Sequence, residues 1–180
     1  MNASYATLVA PGTVRFERTL PGPIEHVWTF LTESDKRAQW LAAGEMDLRI
    51  GGSVEHVFRN SDLTENDEPP PAKYAKYGAE SRMHGRITTC EPPRLLAYTW
   101  GEPSSEDSEV RFELSERGDD VQLVLTHSRL PNREETLSVA GGWHTHLDIL
   151  VERLNGRTPP GFWTTHTRLE AEYAQRIPES

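Results

Sequence analysis

The sequence contains very little cysteine and no long apolar run. Cys90 is the one cysteine among 180 residues, so neither an intramolecular disulfide nor a zinc site built from several cysteines can form. No apolar stretch approaches the ~20 residues that a membrane-spanning helix needs. Residues 1–12 have no basic segment ahead of their brief apolar run, so we expect no signal peptide. These absences together predict a cytoplasmic protein.

Positive charge is also scarce. Lys and Arg number 19 against 28 Asp and Glu, which gives a net charge of −9, and the basic residues form no continuous run. A protein with this balance is a poor candidate for binding nucleic-acid phosphates or anionic membrane surfaces. We therefore expect neither nucleic acid nor a membrane as a partner.

The signatures of common cofactor-dependent and metal-dependent enzymes are missing as well. The chain has no Gly-x-Ser-x-Gly, no Gly-x-Gly-x-x-Gly and no phosphate-binding loop, which argues against hydrolase, dehydrogenase and nucleotidase activities. His144 and Asp148, four residues apart, could chelate a metal weakly, but we favour a solvated helix face as the interpretation. The sequence thus predicts no cofactor and no metal site, and it assigns no catalytic residue.

Seven segments have the character of β-strands, and three of them, 14–20, 108–116 and 121–127, alternate apolar and polar residues with the strand period. The alternation is sharpest in 108–116, where Val110, Phe112 and Leu114 share one side. Short turns join the last four segments, which predicts an antiparallel meander. The predicted strands are 14–20, 46–50, 53–59, 83–90, 94–100, 108–116 and 121–127.

One long helix follows all the predicted strands. Asn132 with Glu135 three residues later resembles a capping box at its start. Inside a helix each glycine of the pair 141–142 costs ~1 kcal/mol relative to alanine, so the pair either bends the helix or lets it approach something closely. Asp148 and Glu152 are expected to face water, opposite an apolar stripe. The stripe consists of Trp143, Leu147, Leu150, Val151 and Leu154.

Three shorter helices complete the prediction. Two follow the first strand, one over 24–32 and one that Ser34 or Asp35 can cap and that ends near Trp40. A proline-containing linker and an amphipathic helix occupy 157–177. The apolar face of this last helix should dock either on its own domain or on a second copy of the chain, which would make a homodimer. That face carries Phe162, His166, Leu169 and Tyr173.

The segment 60–82 differs from the rest of the chain. It is acidic and contains three consecutive prolines at 69–71, a composition that argues against regular structure. Long loops in compact domains are usually either disordered or functional lids. We interpret this one as mobile, with an ordered lid as the alternative.

The order of these elements predicts an α+β protein with one domain over residues 1–180 and a core over 14–156. Several motifs resemble the SRPBCC (START-like, helix-grip) superfamily, and most closely the domain named after the activator of the ninety-kilodalton heat-shock protein's ATPase. The resemblance implies a curved antiparallel sheet around the long helix, with an apolar ligand held in a cavity between them. The motifs are Pro23-Ile24-Glu25-His26-Val27-Trp28, Gly51-Gly52, His84-Gly85-Arg86-Ile87, Glu91-Pro92-Pro93-Arg94-Leu95, Tyr98-Thr99-Trp100, residues 121–127 and Gly141-Gly142-Trp143 with Leu147.

Aromatic and histidine residues of the predicted sheet and long helix are the candidates for the cavity wall, because aromatic walls suit apolar ligands. An inward His84 or His127 beside a tyrosine could perform acid–base chemistry on a carbonyl, although plain hydrogen bonding within the sheet is the interpretation we favour. Trp28 is interpreted as a core residue and Cys90 as an inert small hydrophobe, whereas for Trp100 and Trp143 the cavity wall and the core remain equal alternatives. The predicted ligand-binding residues are Trp40, Phe58, His84, Tyr98, Trp100, His127, Trp143, His146 and Leu147.

Three functions from different classes are consistent with these patterns. The first is binding of a small hydrophobic molecule, with no reaction assignable. The second is an enzyme of the cyclase or aromatase kind that uses a histidine and a tyrosine of the cavity. The third is a module that interacts with a chaperone. A large exposed apolar patch over a well-packed core would favour the third.

Overall fold

The computed structural model describes residues 5–65, 68–77, 80–100 and 108–178. Two short 3₁₀ helices, Asn60–Asp62 and Ala72–Tyr77, lie between the third and fourth strands. The strands of this described part are β1 (Thr7–Ala10), β2 (Thr13–Pro21), β3 (Ser53–Phe58), β4 (Ser81–Glu91), β5 (Leu95–Trp100), β6 (Ser108–Arg117) and β7 (Asp120–Ser128). The α-helices are α1 (Ile24–Thr32), α2 (Ser34–Arg37), α3 (Arg133–Leu154) and α4 (Phe162–Arg176).

The strands of the described ranges form one antiparallel sheet in the order β1-β2-β7-β6-β5-β4-β3. Strand alternation gives this sheet one apolar face. On β7, for example, Val121, Leu123, Leu125 and His127 are buried and the residues between them are partly exposed. The buried face packs against α3, as the pattern of the sequence predicts.

The sequence prediction fails at two strands. Residues 46–50 form no strand, because their backbone closes tight turns: Arg49 N donates to Asp47 O at 2.7 Å and Gly52 N donates to Arg49 O at 2.8 Å. Met46 retains only an isolated bridge to Val54. Conversely, β1 was not predicted, since all its residues are exposed and give no alternation.

Helix α3 begins where the sequence predicts. The Asn132 side chain accepts a hydrogen bond from Glu135 N at 2.8 Å, which satisfies one of the free amides of the first turn. Trp143, Leu147 and Leu150 are buried. The predicted capping of α2 by a side chain is not observed; Ser34 Oγ instead accepts from Gly44 N at 2.9 Å.

The predicted water-facing side of α3 is not solvated around His144 and Asp148. His144 is 1% exposed, and its Nε2 lies 3.6 Å from Asp148 Oδ2. Asp148 Oδ1 lies 3.7 Å from Nη2 of Arg18 on β2. The prediction is wrong here because α4 covers this side of α3, with the Tyr173 hydroxyl 2.8 Å from His144 Nδ1.

Helix α4 docks on its own chain. Phe162, Leu169 and Tyr173 are at most 2% exposed, and Gly141 makes the approach of the two helices close, since a Cβ there would lie 3.6 Å from the Cα of Glu170. Docking is thus confirmed within the chain, while a homodimer stays a prediction. None of the helices in the described residues combines the length and apolarity required to cross a bilayer.

The acidic segment that follows β3 has more regular structure than its composition predicts. It contains the two 3₁₀ helices, and hydrogen bonds attach its described part to the start of α4. Thr64 Oγ1 accepts from Phe162 N at 2.9 Å, and Ser61 Oγ accepts from Trp163 Nε1 at 3.0 Å. The described part of this segment therefore packs over α4, and its mobility stays a prediction.

Candidate ligand cavity

A cavity of about 270 Å³ lies between the ends of β3 and β5, helix α3 and the first turns of α4. Most of its wall consists of aromatic and imidazole rings. Such a wall offers large apolar area together with edges that can pair with another ring. The rings are Phe58, Tyr74, Trp100, Trp143, His146, Phe162, Trp163 and His166.

The rings support one another as two contacting groups. On the sheet side, the ring centroids of Trp100 and Trp143 are 4.9 Å apart. On the α4 side, Phe162 and His166 are stacked with centroids 5.7 Å apart. His146 joins the groups through Phe162, at a centroid distance of 5.0 Å. The wall is therefore a continuous set of rings contributed by separate elements.

A buried chain of hydrogen bonds fixes the Trp143 ring. Trp143 Nε1 donates to His127 Nδ1 at 2.9 Å, so the hydrogen of the neutral His127 ring is on Nε2. That nitrogen donates to Ser108 Oγ at 2.8 Å, and the hydroxyl in turn donates to the carbonyl oxygen of Trp100 at 3.4 Å. Burial lowers the pKa of His127 to about 3, which keeps the ring neutral.

His146 presents a hydrogen-bond acceptor to the cavity. Its Nδ1 lies 2.8 Å from the carbonyl oxygen of Trp40, and because a carbonyl only accepts, Nδ1 carries the hydrogen. The lone pair is then on Nε2. Burial lowers the pKa of His146 to about 4, so this arrangement persists at neutral pH.

Two other polar side chains of the wall have buried atoms without a hydrogen-bond partner among the described residues. These atoms are Nδ1 of His166 and Oδ1 of Asn60. Burial lowers the pKa of His166. No Asp, Glu, Lys or Arg belongs to the described lining. The described part of the wall is therefore uncharged.

The structure brings together four of the predicted ligand-binding residues. Phe58, Trp100, Trp143 and His146 all line the cavity.

Four other predicted residues are buried outside the lining. Trp40 is fully buried and donates from Nε1 to the carbonyl oxygen of Phe30 at 2.7 Å. The Tyr98 hydroxyl lies 3.1 Å from His56 Nε2. Leu147 is a core residue, and His127 has both ring nitrogens engaged. The acid–base pair predicted from His127 and a sheet tyrosine is therefore not assembled.

His84 does not reach the cavity at all. In the β3–β4 register it lies opposite Glu55, on the outer face of the sheet, and its Nε2 is 3.4 Å from Glu55 Oε2. The neighbouring pair, His56 and Met83, occupies the inner face instead. The sequence contains the relevant signal, because Met83 and Ile87 alternate with His84 and place it on the other side.

The contribution of α4 and the acidic segment to the wall was missed. Phe162, Trp163 and His166 come from α4, and Tyr74 and Asn60 from the acidic segment. The helical spacing of Phe162 and His166 signals a buried face but gives no information about what that face covers.

Gly142 is the other unpredicted feature of the wall. It lines the cavity, and a Cβ added there would meet no atom within 4 Å. The two adjacent glycines thus have different surroundings, since Gly141 faces α4 and Gly142 faces the empty space of the cavity. Among the described residues, no group of three His, Cys, Asp or Glu side chains is placed to hold a metal ion.

Comparisons with known proteins agree with this architecture. The family model described as Activator of Hsp90 ATPase homolog 1-like protein matches residues 21–155. The solution structure of the protein encoded by gene BPP1335 from Bordetella parapertussis is 48% identical, with a TM-score of 0.83 over 99% of this chain and 92% of that chain. No curated protein matches the chain.

Two more distant structures share the fold. CalU16 from Micromonospora echinospora is 23% identical, with a TM-score of 0.65 over 95% of this chain and 93% of that one. DynU16, a protein of the dynemicin biosynthetic locus, is 20% identical, with a TM-score of 0.61 over 82% of this chain and 49% of that one. At these identities the likeness concerns the fold alone, and it confirms the α+β helix-grip prediction.

Proposed function

Because this chain belongs to the family of Activator of Hsp90 ATPase homolog 1-like proteins, we propose that its cavity binds one small, uncharged, largely apolar molecule. The observation that carries the proposal is the ring-lined, charge-free wall. Ligand sites in proteins are mostly apolar and aromatic, with a small number of polar groups that orient the ligand. A wall of this kind inside a folded domain otherwise closes by packing.

The cavity opens to solvent on one side, and its volume indicates the size of the part of the molecule that it encloses. An apolar cavity of about 150 Å³ holds one benzene ring, so about 270 Å³ suits a molecule with two fused rings. Its faces would contact the indoles of Trp100 and Trp143 on one side and Phe162 on the other. The hydrogen bonds of His127 hold the Trp143 ring in place before the ligand arrives, which lowers the entropic cost of binding.

Gly142 supports the proposal from the sequence side. A glycine in a helix interior costs ~1 kcal/mol relative to alanine, and no neighbouring atom requires one at this position. This loss of helix stability is explained if the space beside Gly142 holds a ligand.

Titration with naphthalene tests the proposal. Three tryptophans, Trp100, Trp143 and Trp163, line the cavity, so binding should change tryptophan emission, with a micromolar Kd measured by calorimetry. In Gly142→Leu the new side chain would occupy the cavity and should abolish binding. Gly142→Ala adds one methyl group and is the matched control, which should still bind.

Two results would contradict the proposal. One is a wild-type protein that binds no naphthalene, and the other is a folded Gly142→Leu variant that binds it as well as the wild type does. Either result would make interaction with a chaperone the leading hypothesis.

A further inference from the structure

The acceptor on His146 limits what the polar part of the ligand can be. His146 is 6% exposed, and its Nδ1–H bond to the carbonyl oxygen of Trp40 determines which nitrogen holds the lone pair. No described residue donates a hydrogen bond to Nε2. Nε2 is not among the fully buried unpartnered side-chain atoms, so it is open to water from the cavity. A ligand that displaces this water without donating to Nε2 loses a hydrogen bond, and a ligand that donates to Nε2 keeps one.

The other polar atoms of the wall do not impose the same choice. The Asn60 amide can offer either its oxygen or its NH₂ group, and the neutral His166 ring can carry its hydrogen on either nitrogen. These two side chains can adapt to a donor or to an acceptor. Of these three side chains, His146 alone is fixed as an acceptor by its backbone contact.

Charge adds a second restriction. The described lining contains no Lys or Arg, so a carboxylate in the cavity would lose its hydration without gaining a cation. Burial lowers the pKa of His146 to about 4, so in the empty cavity the imidazole is neutral at pH 7. An anionic group would also face the Nε2 lone pair directly.

We infer that the ligand carries an uncharged hydrogen-bond donor, such as a hydroxyl group, that bonds to Nε2 of His146, and that carboxylates are rejected. This inference rests on the proposed function and specifies the chemistry of the molecule bound at the same site. It predicts that molecules of equal size bind with different affinities according to their polar group.

Three probes with the same ring system test it: 2-naphthol, 2-methoxynaphthalene and 2-naphthoate. At pH 7 the naphthol should bind about tenfold more tightly than the methyl ether, which corresponds to one neutral hydrogen bond. The naphthoate should bind at least about a hundredfold more weakly than the naphthol, because its charge is buried unpaired. The ¹⁵N chemical shift of His146 Nε2 should move with naphthol and not with the ether.

The variant His146→Asn separates the acceptor from the structural contact. The Asn amide nitrogen can occupy the position of Nδ1 and retain the bond to Trp40, whereas the Asn oxygen lies at the position of Cδ2 and does not extend as far into the cavity as Nε2 does. The naphthol-to-ether affinity ratio should fall to about one in this variant, with the ether affinity little changed. His84→Asn makes the same substitution on the outer face of the sheet and should leave the ratio at its wild-type value.

The outcomes distinguish the two proposals. If naphthalene binds the wild type but the naphthol and the ether bind equally, or if the naphthoate binds most tightly, this inference is wrong and the proposed function stands. If naphthalene itself does not bind, the proposed function fails. The order of the three probe affinities on the wild-type protein tests the inference even if His146→Asn does not fold.

Discussion

His127 holds the cavity wall in place through two hydrogen bonds and does not contact the cavity itself. In His127→Leu, Trp143 Nε1 would lose its acceptor while remaining buried, and Ser108 Oγ would lose the bond from His127 and keep only its bond to the carbonyl oxygen of Trp100. An unsatisfied buried polar group costs about 1–3 kcal/mol. We expect the free energy of unfolding, measured by urea denaturation, to fall by about 2–4 kcal/mol.

The control for this prediction is His84→Leu on the exposed outer face, which should change stability by less than about 0.5 kcal/mol. Equal effects of the two substitutions would show that the hydrogen-bond chain contributes nothing. The pair also illustrates a limit of sequence reasoning. The alternation of β4 places His84 outside, but the tautomer and partners of His127 depend on Trp143, which is 16 residues away in the chain.

At the scale of elements, the two adjacent glycines of α3 have different surroundings: Gly141 lies against α4, and Gly142 lies against the cavity. A leucine at position 141 would meet the backbone of α4 near Glu170, so Gly141→Leu should separate the two helices and lower stability by about 1–3 kcal/mol. Gly142→Ala should raise the melting temperature, since it adds helix propensity worth up to about 1 kcal/mol and contacts nothing. Thermal unfolding of both variants checks this.

An increase in stability with Gly141→Leu would mean that α4 does not pack as described. The same elements show what sequence patterns do and do not reveal. Residues 108–116 and 121–127 alternate cleanly and form β6 and β7 within one residue of the predicted bounds. The position of α4 over α3 was not predictable, because an apolar helix face predicts that the face is buried but does not identify the surface that covers it.

For the molecule as a whole, the fold was more predictable than the cavity. The alternation of 108–116 and 121–127, the Asn132 cap and the burial of Trp143, Leu147 and Leu150 on α3 are local signals, and each is confirmed. A cavity is the space left between elements, so its lining depends on their relative placement. Trp40 and Trp143 are both buried tryptophans close to predicted helices, yet only Trp143 faces the space. Residues such as Tyr74 reach it through a segment that has no periodic pattern.

The whole molecule should lose stability in acid because several histidines are buried in the neutral form. Burial lowers the pKa of His127 and His144 to about 3 and that of His146 to about 4, from 6.5, and His56 shifts in the same direction.

Between these folded values and 6.5 the unfolded chain binds more protons, so stability is fully present above pH 6.5 and is lost as the pH falls. Asp148 has the opposite effect, since burial raises its pKa to about 6 from 3.8. Between these values the folded state binds about one proton more at Asp148 than the unfolded chain does. Four such histidines less one aspartate leave about three protons, and each contributes about 1.4 kcal/mol per pH unit, so the net loss near pH 5 should be about 4 kcal/mol per pH unit. Urea denaturation from pH 7 to 4.5 measures this slope, and a flat profile between pH 7 and 5 would show that these histidines are not held neutral.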